Sequence, residues 1–416
     1  MSVDGDPGRA TQLRFTVWLG LGAACYWSFF AVYPKLLWSF GVHDYGVWFL
    51  DVFALLASND AVTRGLNPYL PNPLDYFHRP HVYSHWWLHL RDLGLTRADT
   101  RWLGFALVGA FLLAALGRLR PREPRQLLFY LAVLCSSPVL LAVNRANNDL
   151  VVFVLLTPLV ACLLDARLVV RFAAPFFIAT AVALKYYPAA AGLVLFAAAP
   201  PRELRWRVAV MLALLALVGL DLAPDLAAFG SLAPQPESLL SFGANAFFHG
   251  GGWDGWVPKL LSVALGAAAF AWWWRARPLG EWEPSPEQRT DWLHFILGAS
   301  LLAGCFFTTL NFSYRWVFAL WLAPLLWSLP RDEAAPASVR RFARTTRALL
   351  LAVLWIDAAY CAVLNRFIGV VPLATLVRWA DRMFLVEQPL VWAFFVCVLA
   401  FLAHFTRGGL RALAGR

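Results

Sequence analysis

The sequence predicts an all-α integral membrane protein, a polytopic bundle of about 12 transmembrane helices with interfacial helices in its first outer loop. Three observations carry that expectation. Of 416 residues, 60% are hydrophobic and only 14% charged, with a mean hydropathy of +0.61, whereas soluble domains run at about 25% charged. The 21 tryptophans and 32 phenylalanines suit the aromatic belts of two membrane interfaces. Apolar runs long enough to span lie near 14–38, 101–117, 126–143, 149–164, 172–185, 187–199, 206–222, 256–274, 291–310, 316–329, 348–364 and 389–405. The whole chain, 1–416, reads as one membrane domain, with a first outer loop at 41–100 and a second at 223–255.

Each element has its own warrant. The first run lacks a small-residue cleavage site before a soluble domain and is expected to remain as a span. Lys185-Tyr186-Tyr187-Pro188 interrupts 172–199, and proline removes a helix hydrogen bond, so two short segments are expected there. Basic residues then fix the orientation. With the N-terminus inside, short inside loops carry the arginines of 118–125, 167–171, 202–207, 275–289, 331–347 and 407–416, most of the 35 basic residues. The net charge of +10 therefore reports topology, and a nucleic-acid partner is not expected. The six cysteines all fall in apolar runs with no CxxC spacing, which argues against disulfides and zinc.

Under this topology the polar motifs share the outer face. They are the 41–90 insert, Asn144–Asp149, Leu184–Pro188, Phe247–Trp256 and Asn311–Trp316. The insert holds Asp51, Asp60 and Asp75 with His43, His78, His81, His85 and His89. Apolar residues recur at helical spacing from Trp48 to Val62, which predicts an amphipathic helix lying along the interface. Asp51 on that helix is either a general base, able to take a proton from an attacking hydroxyl, or a solvent-facing acid near a helix start. Asp60 is expected exposed on the same helix, in a substrate-binding role. His81, His85 and His89 are spaced to share a helix face; no carboxylate sits at a fixed offset, so hydrogen bonding to sugar hydroxyls or phosphate ranks ahead of a metal.

Arg145, Lys185 and Arg315 are positive charges at outer span ends, against the orientation bias. An anionic ligand accounts for all three, since guanidinium binds phosphate bidentately and lysine acts as a point charge; snorkelling to lipid headgroups accounts for any one. The sequence has no GxxxxGK[ST], no GxGxxG after a strand and no GxSxG, so nucleotide-driven chemistry has no visible site.

The series Asp51 with Asn67-Pro68-Tyr69, then Arg145-Ala146-Asn147-Asn148-Asp149, Leu184–Pro188 and Asn311–Arg315 resembles the GT-C superfamily of membrane glycosyltransferases, nearest to family 87, the polyprenyl-phosphate-mannose-dependent mannosyltransferases and their bacterial relatives. The resemblance covers most of residues 40–330. It implies a helical bundle with an outer-face active site, a polyprenyl-phosphate sugar donor and an acidic base in the first outer loop. Asp51 matches that base. Arg145, Asn147 and Asp149 match the RGNxD element, with Ala146 where the pattern has glycine, which bears on the tight turn expected there. Lys185 and Pro188 match Lys-x-x-Pro, and Tyr314 and Arg315 match the Tyr-Arg pair before a span. The expectation is a hexosyltransferase of a bacterial cytoplasmic membrane, facing outward, acting on a lipid or glycan acceptor among membrane lipids without a metal or other cofactor. Asp51 is catalytic; Lys185, Arg315 and Arg145 hold the donor phosphate; Asn147, Asp149, Tyr187, Tyr314, His81, His85 and Asp60 bind substrate. A transporter or flippase of lipid-linked or anionic substrates, and a non-catalytic envelope scaffold, are the rival classes.

Overall fold

The computed structural model describes residues 7–43, 45–197, 199–229, 241–246, 255–308 and 311–414. The chain is mostly helical with almost no sheet, as an all-α membrane protein requires. The α-helices are α1 (Pro7–Val32), α2 (Leu50–Thr63), α3 (Thr100–Arg118), α4 (Pro124–Leu134), α5 (Ser137–Arg145), α6 (Asn148–Leu156), α7 (Leu159–Leu164), α8 (Leu168–Phe172), α9 (Ala174–Leu184), α10 (Pro201–Phe229), α11 (Trp256–Ala276), α12 (Arg289–Thr308), α13 (Ala323–Ser328), α14 (Ala337–Asn365) and α15 (Leu373–Leu413). Two short strands, β1 (Ser241–Phe242) and β2 (Asn311–Phe312), pair antiparallel with Ser241 opposite Phe312.

Seven helices among the described residues are long and apolar enough to cross a membrane, or up to eight if α4 and α5, bent by 55°, form one span. The expected 12 is not confirmed by this measure. Pro138 follows the bend between α4 and α5, Thr157-Pro158 separates α6 from α7, and Lys185–Pro188 ends α9. Each break leaves apolar pieces shorter than the bilayer core demands. The run at 187–199 becomes a 3-10 helix over Tyr187–Phe196, and that at 316–329 divides between the 3-10 helix Ser313–Trp321 and α13.

The chain forms two compact units. The first comprises Met1–Gly46, Leu112–Leu141 and Pro236–His404. Its centre is α12, 83% buried across its most apolar window. Phe306 stacks on Phe395 at 4.0 Å between ring centres. The indole N–H of Trp355 donates to the Ala132 carbonyl at 2.7 Å. By contrast, only 17% of the corresponding window of α11 is buried. A long helix with so much apolar side exposed is stable against lipid and costly in water.

The second unit comprises Val47–Phe111, Ala142–Gln235 and Phe405–Arg416. Its organising helix is α2, and here the structure departs from the expected amphipathic, interfacial helix. Leu50, Asp51, Val52, Leu55, Leu56, Ala57, Ser58, Asn59 and Ala61 are all buried, so the helix is covered on nearly every side. The cover is the 3-10 helix His85–Leu93, tied down by Asn59. Its Nδ2 donates to the Trp87 carbonyl at 2.9 Å and its Oδ1 accepts the Arg91 N–H at 2.8 Å. Phe49, just before α2, adopts φ 61° and presses its ring onto Gly104. A Cβ at position 104 would lie 2.2 Å from that ring, so only glycine admits this approach. Helix α10 runs to Phe229, beyond the expected start of the second outer loop. The Gly-rich Phe247–Trp256 motif lies, up to Asp254, outside the described residues.

Candidate active site

Three turns build the site, all in the second unit. Helix α2 starts at Leu50, so Asp51 sits in its first turn; the Phe49 N–H donates to the Asn144 carbonyl at 2.7 Å, fixing that start against the end of α5. Helix α5 ends at Arg145 because Ala146 turns left-handed, with φ 44°. The Ala146 N–H donates to Val143 and the Asn147 N–H to Ala142, which satisfies the last carbonyls of α5. The tight turn thus forms although alanine occupies the glycine position. Asn147 then caps α6, its side chain accepting the Asp149 N–H at 2.9 Å. Lys185 terminates α9 in extended backbone, three residues before Pro188.

These turns bring Asp51, Arg145, Asn147, Asp149, Lys185 and Tyr187 into one network. Arg145 donates from Nη2 to Asp51 Oδ1 at 2.6 Å and from Nε to Oδ2 at 3.0 Å. Asn147 Nδ2 donates to Asp51 Oδ2 at 2.5 Å. The other end of Asn147 accepts Lys185 Nζ at 3.3 Å, and Lys185 donates to Asp149 Oδ1 at 2.5 Å. The Tyr187 hydroxyl donates to the same Asp149 oxygen at 2.9 Å. Asn147 therefore joins two ion pairs, Asp51 with Arg145 and Asp149 with Lys185.

Two residues that the sequence reading did not single out extend the network. Arg79 reaches within 3.9 Å of Asp51 and donates to the Leu50 carbonyl at 3.3 Å. Asp75 holds Arg79 in place, accepting its Nη2 at 2.8 Å and its Nε at 3.0 Å, together with the Phe77 and Arg79 N–H groups. The available signal was the i,i+4 pairing of Asp75 with Arg79 in a turn-rich stretch. With Arg79 and Asp75 included, the cations Arg79, Arg145 and Lys185 balance the carboxylates Asp51, Asp75 and Asp149. Balance is what burial demands, because an unmatched charge at this depth costs several kcal/mol, on the order of 3–5.

Asp51 is only 1% exposed. Burial pushes its carboxyl up, but the charge and hydrogen bonds of Arg145, the charge of Arg79 and the Asn147 hydrogen bond together hold it below the ordinary carboxylate value. In this arrangement Asp51 is ionised and clamped, a counter-ion whose lone pairs are engaged. Asp75 is lowered in the same way, burial being outweighed by Arg79.

The remaining expected residues have other partners. Asp60 is not exposed: it is half-buried and accepts Arg97 Nε at 2.7 Å. His81 precedes the 3-10 helix and does not share a helix face with His85 and His89. It is 1% exposed, its Nε2–H donates to the Ser84 carbonyl at 3.1 Å, and burial pushes its pKa down to about 4, so it is neutral. His89 pairs with the exposed Asp92 at 2.7 Å. Tyr314 and Arg315 belong to the first unit, where the Tyr314 ring stacks on Phe312 and Arg315 Nη2 donates to Asn311 Oδ1 at 3.1 Å.

His85 has a different setting. Its Nδ1–H and backbone N–H both donate to Asp225 Oδ2, at 2.8 and 2.9 Å, and its Nε2 lies 3.6 Å from Asp221. The Tyr69 hydroxyl donates to the second Asp225 oxygen at 3.0 Å, and the Trp86 indole N–H to Asp221 at 2.8 Å. Asp221 and Asp225, four apart near the end of α10, are the acids the sequence reading passed over; two carboxylates at the end of an apolar span were the signal. With a third of its side chain exposed, His85 is a histidine oriented by a carboxylate, able to exchange hydrogen bonds or a proton with a hydroxyl.

No protein-family model, curated protein or solved structure matches the chain. Among the described residues no group of three or more His, Cys, Asp and Glu could hold a metal ion.

Proposed function

We propose that the chain is a multi-pass membrane glycosyltransferase that moves a hexose, mannose first, from a polyprenyl-phosphate donor to a lipid or glycan acceptor at the outer face of a bacterial cytoplasmic membrane. The observation that supports this reading is the Asn147-bridged pairing of Asp51–Arg145 with Asp149–Lys185, drawn from three separate stretches of sequence. Two cations joined through Asp51 and Asn147 suit a phosphate, and a donor phosphate taking Arg145 would replace the Asp51 carboxylate there. Asp51, released, then accepts the proton of the acceptor hydroxyl as the new oxygen–C1 bond forms. The C1–phosphate bond breaks, and polyprenyl phosphate leaves with its charge held by Arg145 and Lys185. Stabilising such a leaving group is often the largest catalytic contribution, and loss of one donor costs on the order of a hundredfold. His85, braced by Asp225, fits a sugar or acceptor hydroxyl.

The test is incubation of the purified, membrane-reconstituted chain with a panel of polyprenyl-phosphate sugars. One donor should disappear with release of polyprenyl phosphate. A folded protein that neither binds nor consumes any of them would overturn the reading. A transporter of lipid-linked or anionic substrates is the second reading, favoured by two carboxyls buried inside membrane-spanning helices. Cysteine labelling separates the two: a transport site becomes reachable from both faces, a transferase site from one.

A further inference from the structure

The first unit holds a second set of buried ionisable groups that sugar transfer does not use. Asp357 lies on α14 and Glu387 on α15, both within candidate spans and both more than nine-tenths buried. Leu376, Trp379 and Met383 of α15 pack against Tyr360 and Cys361 of α14, and Glu387, one turn beyond Met383, continues that face toward Asp357, so that the two carboxyls interact. No cation acts on either among the described residues. Among the described residues, Asp357 Oδ1 and Glu387 Oε2 each lack a partner in hydrogen-bonding geometry.

Tyr360, 4% exposed and one turn along α14, lies against both carboxyls. Cys361 is the remaining titratable group against the pair. From the preceding chain, Gly41 lays bare backbone on Asp357: with φ +71°, a Cβ there would sit 2.8 Å from Asp357 Cβ. The 3-10 helix Pro34–Phe40 before it offers only Lys35, which points away into the exposed surface.

Two carboxylates facing each other in a dry site, with no cation, cannot both ionise. Ionisable groups within membrane helices mark proton or ion sites by default. A metal ion fits poorly, since calcium takes about six to eight oxygen ligands and the described residues gather too few. We propose that Asp357 and Glu387 form an intramembrane proton-binding site, sharing at least one proton at neutral pH, with the Tyr360 hydroxyl as its third polar wall. The site stands whether or not the chain transfers sugar.

Infrared spectroscopy of the purified full-length protein tests this directly. At neutral pH the wild type should show the carbonyl band of a protonated carboxyl, shifted in heavy water and bleached when the pH is raised. Asp51 and Asp75 do not contribute, because both are held ionised. The Asp357→Asn, Glu387→Gln double variant should lose the band. Absence of the band in the wild type would overturn the proposal, as would its persistence in the folded double variant. Loss of the band on adding sodium at constant pH would also overturn it, by assigning the site to a metal cation. If the double variant does not fold, the wild-type titration decides alone.

Discussion

Arg145 grips Asp51 through two separate nitrogens, Nη2 on Oδ1 at 2.6 Å and Nε on Oδ2 at 3.0 Å, and Asn147 closes on the same carboxylate. The consequence is that Asp51 carries structure and, in the proposed reaction, chemistry. The two roles separate in a double-mutant cycle. Asp51→Asn alone leaves the Arg145 charge buried and should cost about 3–5 kcal/mol. Arg145→Gln alone should cost a similar amount. The double variant removes both charges and should recover most of that loss in urea or thermal unfolding, while remaining inactive in sugar transfer. Additive losses would mean the pair is not coupled.

Acid should destabilise the second unit in two steps of known sign. His81 has a folded value near 4 against a reference value of 6.5, so the unfolded chain takes up a proton that the folded chain refuses. Stability is therefore full above about pH 6.5 and falls as the pH drops toward 4, by on the order of 3 kcal/mol. Asp51 and Asp75, held below 3.8, contribute stability that is present above about pH 4 and lost only as the pH falls further. His81→Gln should flatten the first step and leave the second. An unchanged slope between pH 6.5 and 4 would remove His81 as its source.

Ala146 adopts φ 44° with its side chain fully buried. Left-handed backbone costs an L-residue about 1–2 kcal/mol. Ala146→Gly should therefore leave stability unchanged or raise it by up to about 1 kcal/mol, strain relief outweighing the added freedom of the unfolded chain. Ala146→Val should destabilise measurably by thermal unfolding. A loss of more than 1 kcal/mol on Ala146→Gly would show that the methyl packing, not the turn, dominates.

How much of this was readable beforehand divides along physical lines. The membrane class was legible because bulk apolarity needs no tertiary knowledge. So was the grouping of Asp51 with Arg145, Asn147, Asp149 and Lys185, because their motifs fall on one face under the topology that the basic residues set. Twelve spans are not confirmed, because hydropathy does not register where Pro138 and Pro158 divide a run and counts as spans the short segments on either side of Pro188. The burial of α2 was missed because its apolar residues fit an interfacial stripe and a buried helix alike, and only the cover supplied by Trp87, Leu88 and Phe49 decides between them. The clamp on Asp51 was missed for a related reason: sequence shows which charges are present, not which neutralise each other. Arg79, Asp225 and Asp357 belong to the same class.

Asp60 supplies a control. Its pairing with Arg97 at 2.7 Å is partly buried, the side chains 15% and 29% exposed, so Asp60→Asn should cost about 1–3 kcal/mol and should leave sugar transfer near the wild-type rate. A hundredfold fall in transfer with stability intact would return Asp60 to the site.

In the proposed reaction the Asp51–Arg145–Asn147–Asp149–Lys185 network receives a phosphate-linked sugar. The most direct measurement is consumption of polyprenyl-phosphate mannose by the wild type beside the folded Asp51→Asn, Arg145→Gln double variant. The account predicts release of polyprenyl phosphate by the first and none by the second. Equal consumption by both, or by neither while both are folded in a membrane, would contradict it.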